Sequence, residues 1–148
     1  MNAFEKIKKN VQAIEKTEAD KLQKAIDATE QKKQKKIKAF KDLTSLIIDN
    51  IEKISNGDKK TEISSINNKK YVFVYSDKNN IPSELQTFQT HSLITEFKEI
   101  YSKESILKEE LDIFYQWLAD NGFNTLYVSY EHDGMGIRSW NSYKILIQ

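Results

Sequence analysis

Residues 1–56 contain neither glycine nor proline, so nothing in them breaks a helix. At about 100° per residue, Phe4, Leu22 and Phe40 point the same way, because 18 residues make five turns. Ile7, Val11, Ala25, Ile26, Leu43, Ile47, Ile51 and Ile54 fall within roughly 60° of them. A straight helix accounts for this stripe better than a strict heptad, which would drift away from it over four repeats. Asn56-Gly57 supplies the stop. Such a helix would reach roughly 80 Å. Its weak point is Thr29 to Lys36, eight residues without an apolar side chain. There the helix either crosses solvent or folds back as a helical hairpin. Glu, Gln and Lys are good helix formers and no turn residue is present, which favours continuity.

From Lys59 the pattern changes. Thr61 to Ile66 and Tyr71 to Ser76 are β-rich runs joined by Asn67-Asn68-Lys69-Lys70, the signature of a hairpin. Ser76 to Pro82 is a polar loop. Ser83 followed by Gln86 is a capping-box signal, and helical spacing follows at Phe88, Ile94, Phe97, Ile100 and Tyr101. A break at Ser102 to Ser105 precedes a second helix through Ile106, Leu107, Leu111, Phe114, Tyr115 and Leu118, ended by Asp120-Asn121-Gly122. Leu126 to Glu131 and Ile137 to Ile147 are the last strands, joined across His132-Asp133-Gly134-Met135-Gly136, in which Asp-Gly is a hairpin signal. The expected class is α+β. A long N-terminal helix, or helical hairpin, over 1–56 precedes a small β-β-α-α-β-β domain over 57–148, with one antiparallel sheet covered on one face. No internal repeat and no linker rich in Pro, Gly or Ser is apparent.

Charge is divided unevenly. Residues 1–41 hold 12 Lys against 6 acids, a net of +6, and residues 42–148 hold 11 basic and 16 acidic residues, a net of −5. The two parts are therefore able to attract, within a chain or between copies. With no cysteine in the chain, disulfide and thiolate chemistry are excluded and a reducing, cytoplasmic setting is expected. No apolar run is long enough for a membrane span, and the first residues lack the apolar core of a signal peptide. Lys, Ile and Asn make up 51 of 148 residues, the bias of an AT-rich genome such as many bacteria and phages have.

Three constellations carry functional weight. The lysines of the first helix invite a nucleic-acid reading, but Lys6, Lys16, Lys21, Lys33, Lys36 and Lys41 point in different directions with acids among them. Phosphate binding wants cations on one face, so a solvated helix surface is the better reading. The second constellation is the polar tip of the last hairpin: Glu131, His132, Asp133 and the only arginine, Arg138, with His91 able to join through the fold. These are tools for a small hydrolase or nuclease, yet Glu131 and His132 are neighbours on a strand and would point to opposite faces. The third is an aromatic and methionine cluster in that hairpin: Tyr127, Tyr130, Met135, Trp140 and Tyr143. Such residues are enriched in protein interfaces.

No cofactor or metal is expected. Two histidines 41 residues apart match no ligand spacing, and the four glycines form no phosphate loop or dinucleotide fingerprint. The preferred expectation is a non-enzymatic protein that binds a macromolecule, in the manner of a small bacterial or phage inhibitor or immunity-type protein. The protein partner would be met by Met135, Arg138, Trp140, Tyr127, Tyr130, His132 and Asp133. Phe4, Ile7, Val11 and Leu22 would serve self-association, because an apolar stripe must be covered.

Overall fold

The computed structural model describes residues 1–78, 82–88, 94–136 and 138–147, and of 86–88 only the backbone. Helix α1 runs from Ala3 to Ser55 without interruption. The side-chain oxygen of Asn2 accepts the Glu5 N–H at 2.9 Å, satisfying one of the free amides of the first turn. The doubtful Thr29–Lys36 stretch is helical, and the Gln34 amide bonds Glu30 one turn back at 3.0 Å. At the far end Asp58 N–H bonds Lys53 O at 2.8 Å and Gly57 N–H bonds Ile54 O at 3.2 Å. This is a Schellman cap, and it needs the left-handed conformation that Gly57 adopts at φ 78°.

The chain divides into two compact units, Met1–Lys35 and Lys36–Gln148. In the first, every residue is exposed. It does contain a repeat that period-3.6 reading passes over. Ala13-Ile14-Glu15 with Thr17, Glu18 and Lys21 recurs as Ala25-Ile26-Asp27 with Thr29, Glu30 and Lys33. Each copy lines a similar shallow groove. In each, the threonine hydroxyl bonds back to the alanine carbonyl, at 2.9 and 3.0 Å. A 12-residue offset turns the second copy by about 120° around the axis, so the copies do not reinforce one stripe.

In the second unit the remainder of α1 packs with the other elements of that unit. Strands β1 (Glu62–Ile66) and β2 (Lys69–Ser76) form the expected hairpin. Its two-residue turn is Asn67-Asn68, both left-handed at φ 52° and 65°. Between β2 and the last hairpin the reading of a long helix through Phe88 and Tyr101 is corrected. Ser83–Phe88 is a 3-10 helix, Thr95–Glu96 is a short strand β3, and α2 is only Phe97–Tyr101. The cause is pairing. Thr95 and Glu96 lie opposite Val128 and Tyr127 at the sheet edge, and Phe97 N–H bonds Leu126 O at 2.8 Å, so this stretch extends the sheet instead of a helix. After a turn of 3-10 helix at Ser105–Leu107 comes α3 (Lys108–Asp120), closed by a second Schellman cap at Gly122. Strands β4 (Tyr127–His132) and β5 (Ser139–Leu146) complete an antiparallel sheet of order β1-β2-β5-β4-β3.

Alternation along the strands sorts the side chains. The inner face carries Val72, Val74, Val128, Tyr143 and Ile145, which form one core with Phe40, Leu43, Ile47 and Ile51 of α1 and with Phe97, Phe114 and Leu118. Phe97 is its hub, with ring centres of Phe40, Tyr101, Phe114 and Tyr143 at 5.8, 4.6, 5.2 and 6.0 Å. The outer face carries Tyr71, Phe73, Tyr127, Ser129, Glu131, Trp140, Ser142 and Lys144, none of which belongs to that core.

Candidate functional site

The outer face of β4–β5 holds a fixed polar network. Glu131 and Trp140 are register partners, as are Ser129 and Ser142, and Tyr127 and Lys144. Trp140 Nε1 and Ser142 Oγ donate to Glu131 Oε2 at 3.2 and 2.8 Å. Lys144 Nζ donates to Oε1 at 3.2 Å. The Lys144 side chain is only 7% exposed against 39% for Glu131, so this ion pair is buried at its cationic end. Burial pushes the Glu131 carboxyl upward, but the Ser142, Lys144 and Trp140 bonds and the Lys144 charge bring it below its ordinary value. Tyr71 packs edge-on against Tyr127 at 5.5 Å beside the network. At the other end, Lys78 Nζ lies 4.5 Å from the Trp140 ring centre, and Arg138 Nη2 donates to Lys78 O at 3.3 Å.

The sequence-predicted residues are not brought together as a set. Trp140 and Tyr127 share the outer face, half-buried. Arg138 is exposed and precedes β5, tied to the segment beneath Trp140 through Lys78. Met135 is at the hairpin tip, 82% exposed. Asp133 builds that tip: its carboxylate accepts Met135 N–H at 3.2 Å, and its N–H bonds Arg138 O at 3.0 Å. The left-handed residue there is Gly136, at φ 68°. Tyr130 and His132 have the opposite parity, 6.3 Å apart by ring centre, and His132 Nδ1 stands 2.8 Å from Asp133 O. Tyr143 is a core residue.

Glu131 and His132 thus diverge, and Glu131 is occupied by three donors from its own sheet face. Of the acid–base grouping, Glu131 and His132 lie on opposite strand faces, Asp133 N–H bonds Arg138 O at 3.0 Å at the hairpin tip, and His91 lies outside the described residues. Among the described residues, no group of three His, Asp or Glu side chains could hold a metal ion. Among the described residues, no helix is long and apolar enough to cross a membrane. Phe4, Ile7, Val11 and Leu22 are all exposed on α1.

Two features escaped sequence reading. Lys144 stands between Tyr143 and Ile145 in β5, and the alternation Trp140-x-Ser142-x-Lys144 opposite Glu131 was the available signal. Asp77 gave none. It is buried just after β2, where its carboxylate accepts Asn141 N–H at 2.8 Å and the Tyr143 hydroxyl at 3.3 Å. Burial raises its carboxyl above the usual value, against the lowering effect of those two bonds. Tyr143 is itself pushed well above its ordinary value by burial and by the neighbouring Tyr101 and Asp77.

No protein-family model, curated protein or solved structure matches this chain.

Proposed function

We propose that this is a non-enzymatic binding protein that docks a protein partner on the β4–β5 hairpin and self-associates through the first part of α1. The observation that carries the reading is the Glu131–Trp140–Ser142–Lys144 network. It holds an aromatic side chain in one orientation on the outer sheet face, next to Arg138 and an exposed methionine tip. A pre-set aromatic anchor costs little ordering entropy on binding, and Trp and Arg are the side chains most often decisive at interfaces. An inhibitor or immunity-type role, in the cytoplasm, is the form of binding that the small size and hairpin anchor suit best.

The test is affinity capture from cells of the source organism with wild type and Trp140→Ala in parallel, after circular dichroism confirms both are folded. A partner retained by wild type and lost by the variant supports the reading. Equal retention by both would remove the hairpin as the docking site. Retention of nucleic acid, in a salt-sensitive manner, would replace it with the Lys-rich helix surface.

A further inference from the structure

The apolar stripe of residues 1–35 has no cover within its own unit: Phe4, Ile7, Val11, Ile14 and Leu22 are 72%, 61%, 47%, 58% and 65% exposed. Its charges say what covers it. Glu15 and Glu18 lie within the stripe, and Lys8 borders it two turns before Glu15. Among the described residues Lys8, Glu15 and Glu18 have no ion-pair partner. A parallel, in-register copy would set Glu18 against Glu18, at the centre of the apolar contact. Two antiparallel helices instead bring together residues that share an azimuth and lie at equal distances on either side of the two-fold axis. Lys8 and Glu15, seven residues apart, are within about 20° of one azimuth, and Phe4 and Leu22, five turns apart, coincide. The midpoints of both pairs fall within about two residues of each other, between residues 11 and 13. One axis therefore serves both pairs and places Val11 beside its own copy.

We infer that the N-terminal segment pairs with a second copy of this chain as an antiparallel two-helix contact. Phe4 packs on Leu22 of the second copy, Lys8 meets Glu15 of the second copy, and both contacts occur twice by symmetry. The inference rests on the self-association reading above and adds its geometry.

The test uses the full chain, whose lack of cysteine makes introduced thiols unambiguous. Light scattering at tens of micromolar should give a dimer mass. Lys8→Glu and Glu15→Lys should each weaken the dimer about tenfold, since each turns two attractions into repulsions, and the doubly reversed chain should recover wild-type affinity. Under mild oxidation Val11→Cys should cross-link to itself. Leu22→Cys should not, because the two copies stand roughly 28 Å apart along the axis. It should cross-link with Phe4→Cys when the two variants are mixed. A monomer at these concentrations overturns self-association itself. A dimer in which Leu22→Cys links to itself, or in which the double charge reversal fails to recover, overturns the antiparallel geometry while leaving self-association standing.

Discussion

Removing either member of the Glu131–Lys144 pair should have unequal consequences. Glu131→Ala leaves an ammonium that is 7% exposed without its carboxylate. Breaking a buried pair this way costs about 3–5 kcal/mol, and because Glu131 itself is 39% exposed, water can enter and the lower end, about 3 kcal/mol, is expected. Lys144→Met leaves a carboxylate that still accepts Ser142 at 2.8 Å and Trp140 at 3.2 Å and reaches solvent. Only the charged bond is lost, at about 1–1.5 kcal/mol after allowance for that exposure. The double variant should cost clearly less than the two singles together, a coupling of about 1–2 kcal/mol. Urea unfolding followed by tryptophan fluorescence is the assay, because Trp117 and Trp140 both belong to the Lys36–Gln148 unit and ignore the exposed helix. The folded-state carboxyl is depressed, so the Glu131 contribution is present above the unfolded value of about 4.3 and is lost as pH falls through the folded value. Lys144→Met proving as harmful as Glu131→Ala, or strict additivity, would refute the asymmetry and with it the idea that Lys144 depends on this one carboxylate.

Asp77 has the opposite sign. Its folded-state carboxyl is raised, so the native state binds protons more readily than the unfolded chain, and wild type should gain stability over Asp77→Asn as pH falls from neutral toward about 4. Urea midpoints across that range that diverge the other way would contradict the burial argument. Phe97→Ala, which empties the hub of the aromatic core, should cost about 3–5 kcal/mol, read as a melting-temperature drop of more than about 10 °C. A drop of a few degrees would show that the core closes over the gap. Changing Lys32, Lys33, Lys35 and Lys36 together to Gln should cost within about 0.5 kcal/mol per site, with up to about 1 for Lys36, whose bridge to Glu104 is long at 3.6 Å. Partner binding should persist, and a large fall in nucleic-acid affinity in filter binding would reverse the weighting of the lysines.

Elements specified by neighbouring residues were readable in the sequence. The long helix, its glycine stop, the Asn67-Asn68 hairpin and the break before α3 each depend on backbone preferences within a few positions. Strand β3 was not readable, because two residues carry no periodicity and their state is decided by pairing with Val128 and Tyr127, more than 30 positions away. Asp77 looked like loop composition because its partners, Asn141 and Tyr143, are more than 60 positions away. The same alternation that warned of Glu131 and His132 diverging would have placed Glu131 with Trp140, Ser142 and Lys144, had the strand register been known. The last connection was expected across His132 to Gly136 on the strength of Asp133-Gly134; within it Asp133 folds the tip around its own carboxylate, and the left-handed residue is Gly136.

The central claim is that this protein binds and does not catalyse, with Trp140 and Arg138 as anchors. Isothermal titration of the captured partner against folded Trp140→Ala, Arg138→Ala and His132→Ala tests it most directly. The first two should each weaken binding by about 2 kcal/mol or more, roughly thirtyfold, and His132→Ala should leave it unchanged. If His132→Ala instead abolishes a measurable turnover by the 10²–10⁴-fold typical of a lost acid–base group, about the inverse pattern, while Trp140→Ala and Arg138→Ala behave as wild type, the binding account is wrong.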